Sequence, residues 1–404
     1  MNQPAFEDIL DRIEDNDPTF TVLNIGRNVH DDHWVYTDFS TLGVAVGENT
    51  HLKELNVDVH SLSGDMSAFQ MLFDGLKDNS SICKLHIKGN NRNGNTLGDM
   101  GIEILRAYQA NSNQLTHLTI EYFQPLQQNG GCGVVADTLS SCTNLKTILL
   151  YRCGVTDEQL IPMIDAVRGH RQLEEWELSL NSIGNVGCDA LVTLLEEPNC
   201  NIQFLDLQAN DINLTHEGTI KLANGLADNT KLQTLILGDN PTDRNAELNV
   251  DPCIVEDIFT QLVCNTSSIS STFSSNHTLS GLSLPLVESL TENFKDTKLT
   301  SLLKLNKGVN KGHVAIKKIL KYHPIIDMEP LFEFVSSEDD ERNLKALPYV
   351  IAWFDKAKVA ITEEVEEYHI DRRKISAIFE FSRAMPLLFE GIKSLPPTCC
   401  QFKE

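Results

Sequence analysis

Residues 201–212 read NIQFLDLQANDI and residues 231–242 read KLQTLILGDNPT, and these two stretches decide the fold. Each has apolar residues at its second, fifth and seventh positions and an asparagine at its tenth. The alternating pair Leu205 and Leu207 predicts a short strand whose leucines turn inward, with Asp206 exposed between them. The asparagine predicts a buried turn in which its amide satisfies backbone groups left unpaired where the strand ends.

The same pattern occurs eight times at intervals of 28 to 33 residues. The first apolar residues of the copies are Phe20, Leu52, Ile82, Leu115, Leu145, Leu173, Ile202 and Leu232. Helical patterns lie between the copies, as where Leu222 and Leu226 fall at i and i+4. A strand–helix unit buries its apolar face only against its neighbours, so the sequence predicts a curved α/β solenoid with a parallel strand ladder inside and helices outside.

The pattern weakens after residue 245. Ile269, Thr272 and Ser274 keep the frame of a ninth, degenerate copy, which implies an insertion within residues 244–257. We predict an N-terminal cap over residues 1–19, the solenoid over 20–296, and a helical C-terminal cap or domain over 297–404.

A spacing of this length with a full helix in each unit resembles the ribonuclease-inhibitor-like class of leucine-rich repeats, which also includes the Ran GTPase activators. The resemblance covers residues 20–245 and implies a horseshoe that binds proteins. The style of segments such as NTSSISSTFSSNHTL also resembles a group of leucine-rich repeat proteins from unicellular algae, which implies no activity.

Charge separates the chain into two parts. The 404 residues carry 33 basic and 57 acidic side chains, a net charge of −24. Residues 1–296 hold 16 basic and 41 acidic of these, whereas residues 297–404 hold 17 and 16. This step supports a boundary near residue 297, and the acidic excess weighs against nucleic acid or an anionic membrane as the general partner.

Residues 297–404 lose the repeat. The segment KGHVAIKKILKYH predicts a helix with lysines on its polar face, and LKALPYVIAWFDKAKVAI and RRKISAIFEFSRAMPLLFEGI predict two more. Seven lysines and no acid lie between Lys298 and Lys321. They are interpreted as solvated or as neutralising nearby acids, with a nucleic-acid or phosphoinositide contact as the alternative.

Targeting and catalytic signals are absent from the sequence. No signal peptide, membrane-length apolar run, phosphate-binding loop or hydrolase motif occurs, so we expect a cytoplasmic or nuclear protein without cofactor or metal. The HDDH run at residues 30–33 is a metal-site alternative to a polar loop, and the polar loop is preferred.

The outward strand positions form the expected concave binding face. The candidate residues are Lys84, His86, Lys88, Leu149, Tyr151, Glu175, Glu177, Phe204, Asp206 and Ile236. The first three form a basic stripe, and the others form an apolar and acidic zone that resembles an interface anchor. Tyr151 and Phe204 are expected on the order of 10 Å apart, since two strand spacings separate their repeats.

The leading functional hypothesis is a non-enzymatic, monomeric scaffold that binds a protein on this face. The alternative is a GTPase-activating or other regulatory protein, for which Arg27, Arg92 and Arg152 are the candidate catalytic arginines. A nucleic-acid factor acting through Lys298–Lys321 is the weakest hypothesis.

Overall fold

The computed structural model describes residues 6–26, 39–59, 69–89, 98–110, 114–122, 130–240, 252–284 and 297–323. The chain divides into two compact units. Unit 1 comprises Met1–Pro252 with Gly281–Thr291, and unit 2 comprises Cys253–Ser280 with Glu292–Glu404. The predicted domain boundaries remain predictions, although a helix does begin at Lys298.

A single sheet carries the strands of the described chain. They are β1 (Val22–Ile25), β2 (Glu54–Asp58), β3 (Lys84–Lys88), β4 (His117–Glu121), β5 (Thr147–Tyr151), β6 (Glu175–Glu177), β7 (Phe204–Asp206), β8 (Thr234–Ile236) and β9 (Gly281–Ser283). They lie in chain order and every neighbouring pair is parallel. The predicted parallel ladder is confirmed.

Helices precede and separate these strands. Those in the repeats up to β8 are α1 (Phe6–Glu14), α2 (Phe39–Glu48), α3 (Gln70–Asp78), α4 (Gly98–Ala110), α5 (Gly131–Ser141), α6 (Asp157–Val167), α7 (Asn185–Leu195) and α8 (His216–Leu226). Four more follow: α9 (Pro252–Val263), α10 (Ile269–Phe273), α11 (Lys298–Asn306) and α12 (Lys311–Tyr322). One helix for each strand is the predicted arrangement.

Burial follows the sequence pattern. Leu205 and Leu207 are 2% and 1% exposed. The equivalent apolar pairs of the other seven predicted copies, from Leu23 and Ile25 to Leu235 and Leu237, are also buried. Because each strand turns alternate side chains to one face, these residues form a continuous apolar layer between sheet and helices.

The ninth copy lies further along the chain than the sequence pattern predicts. Ile269 and Thr272 belong to α10, whereas the strand β9 carries Leu282 and is bracketed by the buried Leu279 and Leu284. The step from Leu232 is therefore 279 − 232 = 47 residues rather than 37. The prediction followed the constant period and missed a second helix inserted before the strand.

The asparagines after the strands satisfy the backbone as predicted. The Asn181 side chain donates to the carbonyl oxygens of Leu150 and Leu178, at 2.7 and 2.8 Å. Its Oδ1 accepts from the N–H groups of Cys153 and Val155, both at 3.0 Å. Asn210 and Asn240 make equivalent hydrogen bonds in the next two repeats.

Each of these asparagines joins its own repeat to the preceding one. The Asn210 Oδ1 accepts from Ile183 N–H, and the Asn240 Oδ1 accepts from Asn210 N–H and Ile212 N–H. We call Asn181, Asn210 and Asn240 the asparagine ladder. Because a buried amide with all its partners is stable, the ladder fixes successive turns in one register.

A second set of asparagines, which the apolar pattern does not predict, precedes the strands. Asn79 is 3% exposed, and its Oδ1 accepts from the N–H groups of Ser81 and Ile82. Asn49, Asn229 and Asn276 accept from the equivalent N–H groups two and three residues on. The signal was an asparagine three residues before the first apolar position.

In unit 2, residues 311–322 form the predicted helix α12. The Thr297 hydroxyl caps α11 by accepting from Thr300 N–H at 3.3 Å. The two further helices predicted within residues 344–392 lie outside the described residues.

Candidate functional site

The outward positions of the sheet form a surface opposite the apolar layer, here called the strand face. Strand register arranges its side chains in rows. The first row is Glu54, Lys84, His117, Thr147, Glu175, Phe204 and Thr234. The second is Asn56, His86, Thr119, Leu149, Glu177, Asp206 and Ile236. The third is Asp58, Lys88, Glu121 and Tyr151.

All ten candidate residues occupy outward positions in these rows. Lys84, Lys88 and Glu175 are exposed, and six of the others are partly exposed. Asp206 is the exception, because only 8% of it is accessible. The expectation that Asp206 is exposed is wrong, although the strand register that motivated it is correct.

Two acids and two apolar side chains are consecutive in the second row. Glu177 and Asp206 are directly opposed on β6 and β7, and Leu149 and Ile236 flank them on β5 and β8. Adjacent strands lie about 4.8 Å apart, so the two carboxylates are close neighbours. We call Glu177 and Asp206 the acidic pair.

Each carboxylate of the acidic pair has one local donor. The Ser179 hydroxyl donates to Glu177 Oε1 at 3.0 Å, and the Gln208 N–H donates to Asp206 Oδ1 at 2.8 Å. Loss of hydration raises the pKa of Glu177, and the charges of Asp206, Glu121 and Glu175 raise it further. Loss of hydration also raises the pKa of Asp206, despite the Gln208 hydrogen bond. Both groups therefore carry their charge at a cost.

Tyr151 lies at one end of the third row in an aromatic contact. Its ring centroid is 5.5 Å from that of Tyr122 in an edge-on arrangement, and the Arg152 guanidinium lies 5.6 Å from the Tyr122 centroid. Loss of hydration, followed by the neighbouring Tyr122, raises the pKa of Tyr151. Of the three candidate arginines, Arg27 and Arg92 lie outside the described residues, and Arg152 lies over the Tyr122 ring.

Tyr151 and Phe204 are further apart than expected. Phe204 aligns with Thr147, which lies four residues before Tyr151 on β5. Four residues of strand add about 13 Å to the roughly 10 Å across two strands, so the two side chains start about 16 Å apart. They do not form a single anchor.

The basic stripe on β3 is flanked by acids. Lys88 lies between Asp58 and Glu121 in the third row. His86 Nε2 is 3.5 Å from Glu121 Oε1. Opposite charges on adjacent strands stabilise one another, so Lys88 has favourable acidic neighbours on both sides. Neither residue of the acidic pair has a basic neighbour in its row, and no ion pair to either occurs in the described part of the chain.

The lysine-rich segment contains one residue that contradicts its interpretation. Lys318 is fully buried, whereas the sequence predicts that all seven lysines are solvated or paired with acids. The pattern concealed this because Lys317 and Lys318 are adjacent and only one of them turns inward from α12.

Neither a membrane span nor a metal cluster is found where the structure describes the chain. No described helix is both long and apolar enough to cross a bilayer. No group of three or more His, Cys, Asp or Glu side chains in the described ranges has the arrangement of a metal site. The HDDH run lies outside those ranges.

Comparison with known proteins finds leucine-rich repeat proteins. The chain is 29% identical over 212 residues to mouse "NACHT, LRR and PYD domains-containing protein 14", a match covering 52% of this chain and 20% of that protein. It is 34% identical over 100 residues to mouse ribonuclease inhibitor, covering 25% and 22%. The chain thus spans about a fifth of the length of each of these two relatives.

Two further comparisons add little to this. No protein-family profile matches the chain. The tropomodulin C-terminal domain of Caenorhabditis elegans gives a TM-score of 0.32 at 14% identity, over 44% of this chain and 93% of that one. The parallel ladder of strand–helix repeats and the modest identity to these relatives together establish a leucine-rich repeat solenoid resembling the ribonuclease-inhibitor-like class.

Proposed function

We propose that the protein is a non-enzymatic scaffold that binds another protein on the strand face over β5–β8. The observation that carries this proposal is the acidic pair, two partly desolvated carboxylates on adjacent strands without an ion pair among the described residues. The ribonuclease inhibitor, by its name, acts on another protein, and its partial similarity to this chain supports the same class of function.

The acidic pair determines the chemistry of the partner. Like charges directly opposed on neighbouring strands repel each other, and a cation placed between them would relieve that cost. Leu149 and Ile236 lie on either side and are partly exposed, so they can contact the alkyl stem of a lysine or arginine. The expected partner therefore presents a basic side chain within an apolar surround.

A comparative pull-down tests this function. The 404-residue protein and a Glu177→Gln, Asp206→Asn double variant are immobilised, and captured proteins are identified by mass spectrometry. The control is Glu158→Gln with Glu217→Gln, which neutralises two exposed acids on α6 and α8. A partner retained by wild type and control but lost by the strand-face variant supports the proposal.

Two results contradict it. Equal retention by all three proteins places the interface elsewhere, and the lysine-rich segment becomes the next candidate. A partner that the strand-face variant binds more tightly shows that the acids oppose binding. For a true hot spot, each substitution weakens the captured complex by about 1–3 kcal/mol, measured by titration calorimetry.

A further inference from the structure

Lys318 on α12 is a buried lysine whose amine contacts only uncharged hydrogen-bond acceptors among the described residues. Its side chain is 0% exposed. Its Nζ donates to the carbonyl oxygen of Val263 and lies 3.3 Å from that of Asn276. Its third neighbour is His277 Nδ1, at 3.0 Å. No carboxylate in the described residues forms an ion pair with it.

The contact of the second ring nitrogen, Nε2, determines which tautomer the neutral His277 ring adopts. Nε2 lies 3.0 Å from the carbonyl oxygen of Phe273, which can only accept, so Nε2 carries the proton. Nδ1 is then an acceptor facing Lys318. A second proton on the ring must sit on Nδ1, where it would point at the Lys318 amine inside the protein.

These contacts join three segments of unit 2. Val263 ends α9, Asn276 and His277 follow α10, and Lys318 belongs to α12. Asn306 stabilises the same segment after α10, because its Nδ2 donates to the carbonyl oxygens of Leu279 and Asn276. Lys318 is therefore a tie between elements distant in sequence.

We propose that Lys318 and His277 form a pH-operated latch that holds unit 2 closed while His277 is neutral and releases it on acidification. Protonation of His277 would place two positive groups 3.0 Å apart in the interior, with no carboxylate paired to either among the described residues, so the contact must break. Release would separate α12 from α9 and from the segment after α10.

The electrostatics of the site agree with this direction. Burial, and then the Lys318 charge, lowers the pKa of His277 from 6.5 to about 4. The folded protein thus binds fewer protons than the unfolded chain between these values, and stability falls as the pH falls from 6.5 towards 4. Burial lowers the pKa of Lys318 from 10.5 to about 7, which acts in the same direction at higher pH.

Other titratable groups of unit 2 surround the latch. Burial lowers the pKa of Lys311 and raises that of Cys264. Burial also lowers the pKa of His323, whose Nε2 lies 2.7 Å from the Thr272 hydroxyl. His323 is the second histidine of these elements that titrates in the acid range, so it requires a separate control.

Hydrogen exchange of the full chain at pH 7.5 and 5.0, corrected for intrinsic rates, tests the latch. Peptides within residues 253–280 and 311–323 should lose protection at pH 5.0 by on the order of tenfold or more. The reason is that pH 5.0 lies between the His277 pKa of about 4 in the folded protein and 6.5 in the unfolded chain. Peptides within residues 173–237 of unit 1 should keep theirs. Equal protection at both pH values in the unit 2 peptides overturns the proposal.

Variants identify the residue responsible. His277→Gln supplies a carbonyl for Lys318 and an amide donor for Phe273 but does not titrate, so it should remove most of the acid response and leave only the smaller part that comes from Lys318. Lys317→Met, a neighbouring lysine that is partly exposed, and His323→Gln should retain it. The proposal is overturned if His277→Gln responds like wild type, or if His323→Gln alone removes the response.

An NMR titration of the wild-type protein gives an answer that needs no variant. The His277 ring should titrate below pH 5 in the folded state. A midpoint near 6.5 would show that the ring protonates without resistance, and the latch would be refuted even if His277→Gln failed to fold.

Discussion

The asparagine ladder of unit 1 and the buried Lys318 of unit 2 perform the same task with different chemistry. Both insert a polar side chain between segments distant in sequence and donate to backbone carbonyl oxygens. An amide is neutral and has both donors and acceptors, so each ladder residue satisfies the backbone in both directions at any physiological pH. The lysine only donates, and its burial makes it sensitive to protons. The comparison contrasts repeats joined by neutral amides, whose hydrogen bonds do not depend on pH, with segments of unit 2 joined by the proposed pH-dependent contact.

The largest expected effect comes from breaking the ladder. Asn181→Ala removes the side-chain acceptor of two backbone N–H groups, those of Cys153 and Val155. It also removes one donor from the carbonyl oxygens of Leu150 and Leu178, although Leu178 keeps its hydrogen bond from the Asn210 amide. We expect a loss of about 3–5 kcal/mol in the free energy of unfolding, measured by urea denaturation and unchanged between pH 6 and 9. Asn224→Ala, at an exposed position of α8, is the matched control and should change stability by less than about 0.5 kcal/mol. A small effect at Asn181 would show that water replaces the amide.

The second prediction concerns the pH dependence of Lys318. Its lowered pKa means that the unfolded chain binds more protons than the folded protein between about 7 and 10.5, so wild-type stability should fall as the pH falls through that window. Lys318→Met has no titrating group at this position, so its stability lacks this dependence on pH. Its stability relative to wild type should therefore improve by about 1–3 kcal/mol from pH 10 to pH 7, after allowance for relaxation around the site. Parallel stability curves for the two proteins would contradict a displaced pKa.

A smaller effect is expected at the acidic pair. Both carboxylates have raised pKa values, so the folded protein binds more protons than the unfolded chain, and stability falls as the pH rises through those values. The Glu177→Gln, Asp206→Asn variant should be more stable than wild type at pH 7 by about 0.5–1 kcal/mol, allowing for solvent screening. The advantage should disappear near pH 3. A destabilised variant at pH 7 would mean that the hydrogen bonds from Ser179 and Gln208 matter more than the repulsion.

A comparably small effect is expected at the backbone that the ladder holds. Leu180 precedes Asn181 and has a φ of 56°, in the left-handed region that a side chain disfavours. Its N–H donates to the Gln208 carbonyl oxygen at 2.9 Å, which holds it there. Leu180→Gly should raise the melting temperature slightly, for a gain of about 0.5–1 kcal/mol. Leu180→Ala controls for loss of the exposed side chain, and a gain in that variant would assign the effect to the side chain instead.

Much of unit 1 was predictable because its signal is repeated. Eight copies of one apolar pattern determine strand order, register and the identity of the outward positions. The ninth strand was misplaced because its apolar residues at Leu279, Leu282 and Leu284 depart from the period. Asn276, three residues before Leu279, matches Asn229 before Leu232, and this second asparagine position would have located it.

The details of the site were less predictable. Alternation assigns Asp206 to the outward face but does not reveal how far its neighbours cover it. The spacing of repeats gives the distance across strands, yet the offset along the strand separates Tyr151 from Phe204. Lys318 could not be recognised because a lysine beside another lysine on an amphipathic helix is ordinarily solvated. These properties depend on packing between elements, which no local pattern encodes.

The direction of the asparagine ladder has a consequence for the protein during its synthesis. The turn after β5 is closed by Asn181, which belongs to the following repeat, and the turn after β6 is likewise closed by Asn210. A repeat leaving the ribosome therefore stays incomplete until about thirty more residues have been translated, which takes roughly 2–6 seconds at ordinary rates of 5–20 residues per second. Each new repeat completes the one before it, and the growing end of the chain remains the least ordered part until the array is finished.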